Sequence, residues 1–239
     1  MSQGSEYSAL SYSLTKKISK PDKKKNGIYF TPPKTIHKII EYLEPYMINI
    51  KEVLEPSCGS CEFITHLNNI YDINITGIEL NQVIYNSIKH LDKENVKLLN
   101  SNYLTYDDNK KFDLIFGNPP FFVMKKKEVD LIYHDYFDGR PNIFILFIIK
   151  SLKLLNENGI LSFVLPKNFL NCLYYDKTRK YIHEKFTILT ILEFNDNYID
   201  TQQETVIIFI QNKIPTEQSS YVFNNGLFTI FGIPNNITK

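Results

Sequence analysis

No apolar run in this 239-residue sequence reaches 18 residues. Ile143 to Ile149 is a run of seven and stops at Lys150. A membrane-crossing helix needs about 20 apolar residues, so no membrane partner is expected. The N-terminus also lacks an apolar signal core. It is rich in Ser and Tyr and then in Lys, so secretion is not expected. Cysteine is scarce. Cys58, Cys61 and Cys172 suit a reducing compartment, hence a cytoplasmic location. Cys58 and Cys61 form a C-x-x-C, but no second pair and no paired histidines accompany it, so no zinc site is expected. Arginine is scarcer still, with only Arg140 and Arg179. Bidentate reading of guanine favours arginine, so the chain is poor in base-reading side chains. The net charge of +1 argues neither for nor against a polyanionic partner. The positive charge is local, with six lysines between Lys16 and Lys25 and a further three at Lys125 to Lys127. Such clusters are either a footprint for a phosphate backbone or solvated segments.

The length allows one large domain, or one domain with an appendage, burying roughly 70% of its unfolded surface. Residues 1–26 read as a flexible basic arm without helical period. Residues 27–212 read as the main domain and 213–239 as a short extension, with a hairpin expected about Asn224-Asn225-Gly226. Pro33 opens a helix marked by Ile36, Ile39, Ile40 and Leu43. Strand and helix then alternate. Strands are expected at Val53-Leu54, Ile73 to Ile78, Val96 to Leu99, Phe112 to Phe116, Ile160 to Leu165, Ile188 to Phe194 and Thr205 to Ile210. A long apolar helix is expected over Pro141 to Leu155, stopped by Asn158-Gly159. Asp135, Asp138 and Arg140 read as a mobile loop. Alternating segments imply an α/β fold, a parallel sheet with helices on both faces, and the last two strands, joined by a short loop, should be antiparallel.

The most informative stretch is Phe112 to Phe121. An apolar strand stops at Gly117-Asn118-Pro119-Pro120 and is followed by Phe121. The two prolines stiffen the backbone and offer carbonyls without N–H groups. Asn118, preceding a proline, is held extended. An amide oxygen and a main-chain carbonyl side by side suit an amino group with two protons to donate. The aromatic beyond suits a planar ring.

Other polar residues fall at the same strand ends, where α/β sheets bind ligands. Glu79 is placed to accept from ribose hydroxyls. Glu55 could hold an ammonium group. Gly59 allows close approach of backbone to ligand, and Thr31 offers a hydroxyl to a carboxylate. Asn102 could accept from or donate to a purine edge. Ribose, purine and an amino-acid end together describe S-adenosylmethionine (AdoMet). A dinucleotide does not fit, because no glycine-rich pyrophosphate turn is present.

Phe30-Thr-Pro-Pro, Val53-Leu-Glu-Pro-Ser-Cys-Gly-Ser-Cys-Glu-Phe, Gly77-Ile-Glu, Asn118-Pro-Pro-Phe and Gly159 to Leu170, in this order, resemble the gamma-type N6-adenine DNA methyltransferases. The resemblance covers about residues 27 to 212. It implies a Rossmann-like AdoMet-dependent methyltransferase fold, with a seven-stranded, mostly parallel sheet and an antiparallel final strand. It implies AdoMet contacts from Thr31, Glu55, Ser57, Gly59, Glu79 and Asn102, without a metal. It also implies that Asn118 and the Pro119 carbonyl bind the amino group of a flipped adenine in DNA, with Phe121 stacked on the base. A second aromatic closes the other face; Phe194 and Tyr198 are the candidates, and Tyr198 is favoured. Two positions depart from the family. Cys61 stands where glycine is usual, and Asn102 where aspartate is usual. The family's recognition domain is not evident, so either a separate specificity subunit supplies it or the chain is a fragment or reduced form. The other readings are an RNA or protein-glutamine N-methyltransferase, and a non-catalytic AdoMet-fold subunit.

Overall fold

The structure, a computed structural model, describes residues 7–107, 109–194 and 204–215. Seven strands form where the apolar segments predict them: β1 Glu52–Glu55, β2 Asn74–Glu79, β3 Val96–Asn100, β4 Phe112–Gly117, β5 Leu155–Pro166, β6 Thr187–Phe194 and β7 Thr205–Gln211. They lie in the order β3-β2-β1-β4-β5-β7-β6. Strands β3, β2, β1, β4 and β5 pair in parallel. β7 runs antiparallel to both β5 and β6, as expected for the final strand.

The helices are α1 Ala9–Lys17, α2 Lys20–Asn26, α3 Pro33–Leu43, α4 Glu62–Asn68, α5 Gln82–Ile88, α6 Ile143–Leu154 and α7 Asp176–Lys185. Successive side chains of a strand point to opposite faces. On β7, Val206, Ile208 and Ile210 join one core with Phe144, Ile148 and Ile182 from α6 and α7. Ile207 and Phe209 join the other with Ile36, Ile64 and Ile84 from α3, α4 and α5. Both faces are therefore covered, which is why the strands are continuous apolar runs. α6 is buried at every position from Ile143 to Ile149, so its sequence shows no amphipathic stripe. No helix among the described residues is long and apolar enough to cross a membrane.

The chain leaves β1 toward β2 and β3, then returns to place β4 on the other side of β1. Such a reversal leaves a crevice at the carboxyl ends of the two central strands. Glu55 ends β1 and Asn118 follows β4, so both stand at that crevice.

Three expectations are corrected. The segment 9–26 is not a flexible arm but two capped helices. Ser8 caps α1 by accepting from Ser11 N–H, and Ser19 caps α2 by accepting from Asp22 N–H. Leu14 and Ile18 are buried in the α3 core. Local capping supplied order that a weak apolar period did not announce. Second, α6 passes directly into β5, which starts at Leu155 rather than Ile160. An irregularity between Phe112 and Leu114 lets Asn158, with φ 63°, and Gly159 sit within the strand pairing. Third, the stretch 131–140 is built into the core through Tyr133 and Phe137, and Asp138 pairs with Lys177 at 2.7 Å. The expected hairpin about Asn224 lies outside the described residues.

If α1 is part of the core, Leu14→Ala should destabilise the protein by about 2–5 kcal/mol in urea melts, the range for buried leucines. A loose arm would give no change.

Candidate active site

Two adjoining cavities open at the crevice. The larger, about 200 Å³, is walled by Glu79, Leu80, Asn102, Tyr103, Pro120 and Phe122, among others. The smaller, about 30 Å³, is lined by Thr31, Glu55, Ser60 and Glu62, among others. Tyr29, Phe30, Ser57, Gly59 and Asn118 face both. Thr31, Glu55, Ser57, Gly59, Glu79 and Asn102, singled out as ligand-binding residues, thus all line one cavity or the other.

Asn118 joins them. Its Nδ2 donates to the main-chain carbonyl of Tyr29 at 3.2 Å. A carbonyl only accepts, so the amide has one orientation there. Its Oδ1 is buried and has no partner. Ser57 Oγ donates to the Asn118 carbonyl at 3.0 Å, which anchors the main chain beneath. The motif is backed by Gly27 at the end of α2, with φ 64°. A Cβ on Gly27 would lie 2.5 Å from Phe121 N and 3.1 Å from Pro120 Cβ, so only glycine lets the two segments touch. Pro119 is buried and lines neither cavity. Phe121 is half-buried and makes a T-shaped contact with Phe144 at 6.0 Å. Phe122, not singled out from sequence, is the phenylalanine of the pair that walls the larger cavity. Tyr198 lies outside the described residues, and nothing is described of the Phe194 side chain.

Glu79 is held in place by two main-chain donors, Gly59 N–H at 3.0 Å to Oε2 and Asn81 N–H at 2.6 Å to Oε1. Burial nonetheless raises its pKa to about 7. Glu55 is 2% exposed and its Oε2 has no partner. Burial first, then the Cys61 thiol, Glu79 and Glu62, push its pKa well above the usual carboxylate range. Gly117, with φ 138°, lets the end of β4 pass over this side chain, since a Cβ would lie 3.3 Å from Glu55 Cγ. Asn102 is exposed, and its Oδ1 accepts from Leu104 N–H at 3.0 Å. Its amide donor is therefore what it can offer a ligand. Cys61 takes φ 59°, the left-handed conformation natural to glycine, at the start of α4. It is fully buried and lines neither cavity, so its side chain does not intrude on the site.

Sequence reading missed Tyr29, whose contribution is a carbonyl and carries no side-chain signature. It missed Glu62 and Ser60 because they stand inside the same short motif as Glu55. Chemically, the larger cavity offers hydroxyl acceptors and apolar walls for a nucleoside. The smaller offers carboxylates and no lysine or arginine among its lining residues, which suits a cationic tail.

Both the sequence and the fold have known relatives. Residues 6–199 match the family model described as Eco57I restriction-modification methylase. The modification methylase CviBIII of Paramecium bursaria Chlorella virus NC1A is 30% identical over 226 residues, covering 90% of this chain and 58% of the relative. The type II methyltransferase M.CvrRI of Paramecium bursaria Chlorella virus XZ-6E is 28% identical over 218 residues, covering 89% and 55%. The chain thus spans a little over half the length of these relatives. Among solved structures, the type IIG restriction endonuclease BpuSI superposes with a TM-score of 0.66 at 12% identity, over 85% of this chain and 27% of that one. A Listeria monocytogenes protein described as a class I S-adenosylmethionine-dependent methyltransferase gives 0.65 at 18% identity, over 87% and 68%. At these identities the structural likeness is one of fold.

Glu79 provides a test of the site's electrostatics. Its folded pKa of about 7 lies above the ordinary 4.5, so its contribution favours folding below pH 4.5 and is lost as pH rises through 7. Urea melts should show that loss, at most about 3 kcal/mol, and Glu79→Gln should flatten it. An unchanged slope would mean that the carboxylate is not desolvated.

Proposed function

The chain belongs to the Eco57I restriction-modification methylase family, and from that premise we propose that it methylates the N6 amino group of adenine in DNA. S-adenosylmethionine is the cofactor of this family. The residues present suit it. Glu79 has the position and charge to take ribose hydroxyls, with Leu80 and Asn102 about the purine. The Oε2 of Glu55 has no partner among the described residues and would receive the ammonium group, with Thr31 toward the carboxylate. AdoMet supplies an electrophilic methyl on a sulfonium centre.

The unpartnered Oδ1 of Asn118 carries the proposal. An exocyclic amine has its lone pair delocalised into the ring. Two acceptors, Asn118 Oδ1 and the Pro119 carbonyl, would bind its two N–H groups and favour a pyramidal nitrogen. The lone pair is then free for in-line attack, helped by fixed positioning rather than by a covalent enzyme intermediate. Phe121 would stack on a base flipped from the duplex. Tyr198 is proposed, on the resemblance alone, as the second aromatic that closes on the base.

DNA as the partner is supported by charge placement as well as by family. Because Gly27 packs on Phe121, the exposed Lys24 and Lys25 at the end of α2 come to the same turn that leads into exposed Lys125, Lys126 and Lys127. Two lysine clusters far apart in sequence therefore flank the Asn-Pro-Pro-Phe turn. A separate specificity subunit is a further proposal.

Asn118→Ala should keep binding of S-adenosylhomocysteine in calorimetry and lose methyl transfer by about a hundredfold to a thousandfold, the effect of removing a preorganised polar contact in a transition state. Transfer of labelled methyl to duplex DNA, tRNA and protein, with digestion of the DNA to nucleosides, reads both activity and product. Label in RNA, protein or cytosine would overturn the proposed substrate, and unaltered transfer by the variant would overturn the role of Asn118.

A further inference from the structure

Helix α1 reaches the floor of the smaller cavity through a specific hydrogen-bond cluster. In a capping box, the N–H of the N-cap residue is taken by an acidic side chain three residues on. In α1 the N-cap is Ser8, and the residue three on is Ser11, too short to reach back. Glu62 takes that N–H instead, at 3.0 Å and from 54 residues away. The same Oε1 accepts from Ser11 Oγ at 2.6 Å. Ser60 Oγ lies 2.8 Å from Ser11 Oγ, and since the Ser11 proton goes to Glu62, Ser60 donates to Ser11. Ser11 is 0%, Ser60 6% and Glu62 8% exposed, so the cluster is dry.

Ser60 and Glu62 line the smaller cavity beside Glu55. Oε1 of Glu62 is occupied by two donors from α1, so its other oxygen is what it can present to a ligand. Fixing Glu62 also fixes its place against Glu55, whose unpartnered Oε2 is the other carboxyl oxygen of this cavity open to a donor. We infer that Ser11 and Glu62 are positioning residues for the amino-acid end of AdoMet: through them α1 sets the carboxylates that receive the ammonium, and α1 in turn is stabilised when that end is bound. The inference rests on the reading of the two cavities as an AdoMet site. It makes the N-terminal helix part of the cofactor site without touching the cofactor.

Two ligands separate this role from general stability. S-adenosylhomocysteine carries the amino-acid end; 5′-methylthioadenosine keeps the nucleoside and sulfur and lacks it. In calorimetry on the full chain, Ser11→Ala should weaken the first about tenfold, the effect of losing a hydrogen bond to a charged group, and the second less than about twofold. Equal losses, or none, overturn the inference. In the wild-type chain, amide exchange over α1 should slow on S-adenosylhomocysteine and not on 5′-methylthioadenosine. That measurement stands even if the variant does not fold, and equal slowing by both ligands overturns the inference. If the wild type binds neither ligand, the AdoMet reading itself falls, and the inference with it.

Discussion

The amide of Asn118 has one orientation open to it, because its nitrogen faces the main-chain carbonyl of Tyr29 at 3.2 Å. That contact joins the segment before α3 to the end of β4, and it leaves Oδ1 as an acceptor directed by exclusion. Much of the surrounding structure bears on it. Gly27 must lack a side chain for the two segments to meet. Tyr7 Oη donates to the Phe30 carbonyl at 3.3 Å, tying the residue after Tyr29 to the chain before α1. Ser57 holds the Asn118 carbonyl from below. The stiffness of Pro119 and Pro120 fixes the exit. A freely rotating amide would present donor and acceptor equally, and an amine needs only the acceptor.

Buried polar atoms without partners are costly, about 1–3 kcal/mol each for neutral groups. Two of them, Asn118 Oδ1 and Glu55 Oε2, stand at the same crevice. Burial also raises the pKa of Glu79 nearby to about 7. The fold tolerates this because the crevice lies between two dry layers, one on each face of the sheet. Local instability at the switch point is offset by packing elsewhere, and a ligand with the complementary donors relieves it. Loss of stability and gain of affinity are here two aspects of the same unsatisfied atoms.

The sheet was legible because its strands are buried on both faces and read as continuous apolar runs, each ended by a polar residue. The place of Asn118, Glu55 and Glu79 at the crevice was legible because each is a polar side chain at a strand end. The order of α1 and α2 was not. Ser8 and Ser19 are caps, but the acid that completes the Ser8 cap is Glu62, which no local window contains. The passage from α6 into β5 was missed for a different reason. Residues 156–159 are Asn-Glu-Asn-Gly, which read as a break between two elements, yet they lie inside β5. Tyr29 acts through its carbonyl, and any residue has one.

Arginine shows how the surface chemistry follows from the interior. Arg179 is 3% exposed and donates to the carbonyls of Phe169 and Cys172 and to Asp176. It holds the turn after β5 onto α7 and is not available to a ligand. Arg140 alone of the two is exposed. For a domain proposed to act on DNA, the remaining cationic equipment is lysine, a flexible point charge that suits phosphate better than the planar edge of a base. The clusters at Lys24-Lys25 and Lys125 to Lys127 can hold a backbone beside the Asn-Pro-Pro-Phe turn, and they have little means of distinguishing one sequence from another.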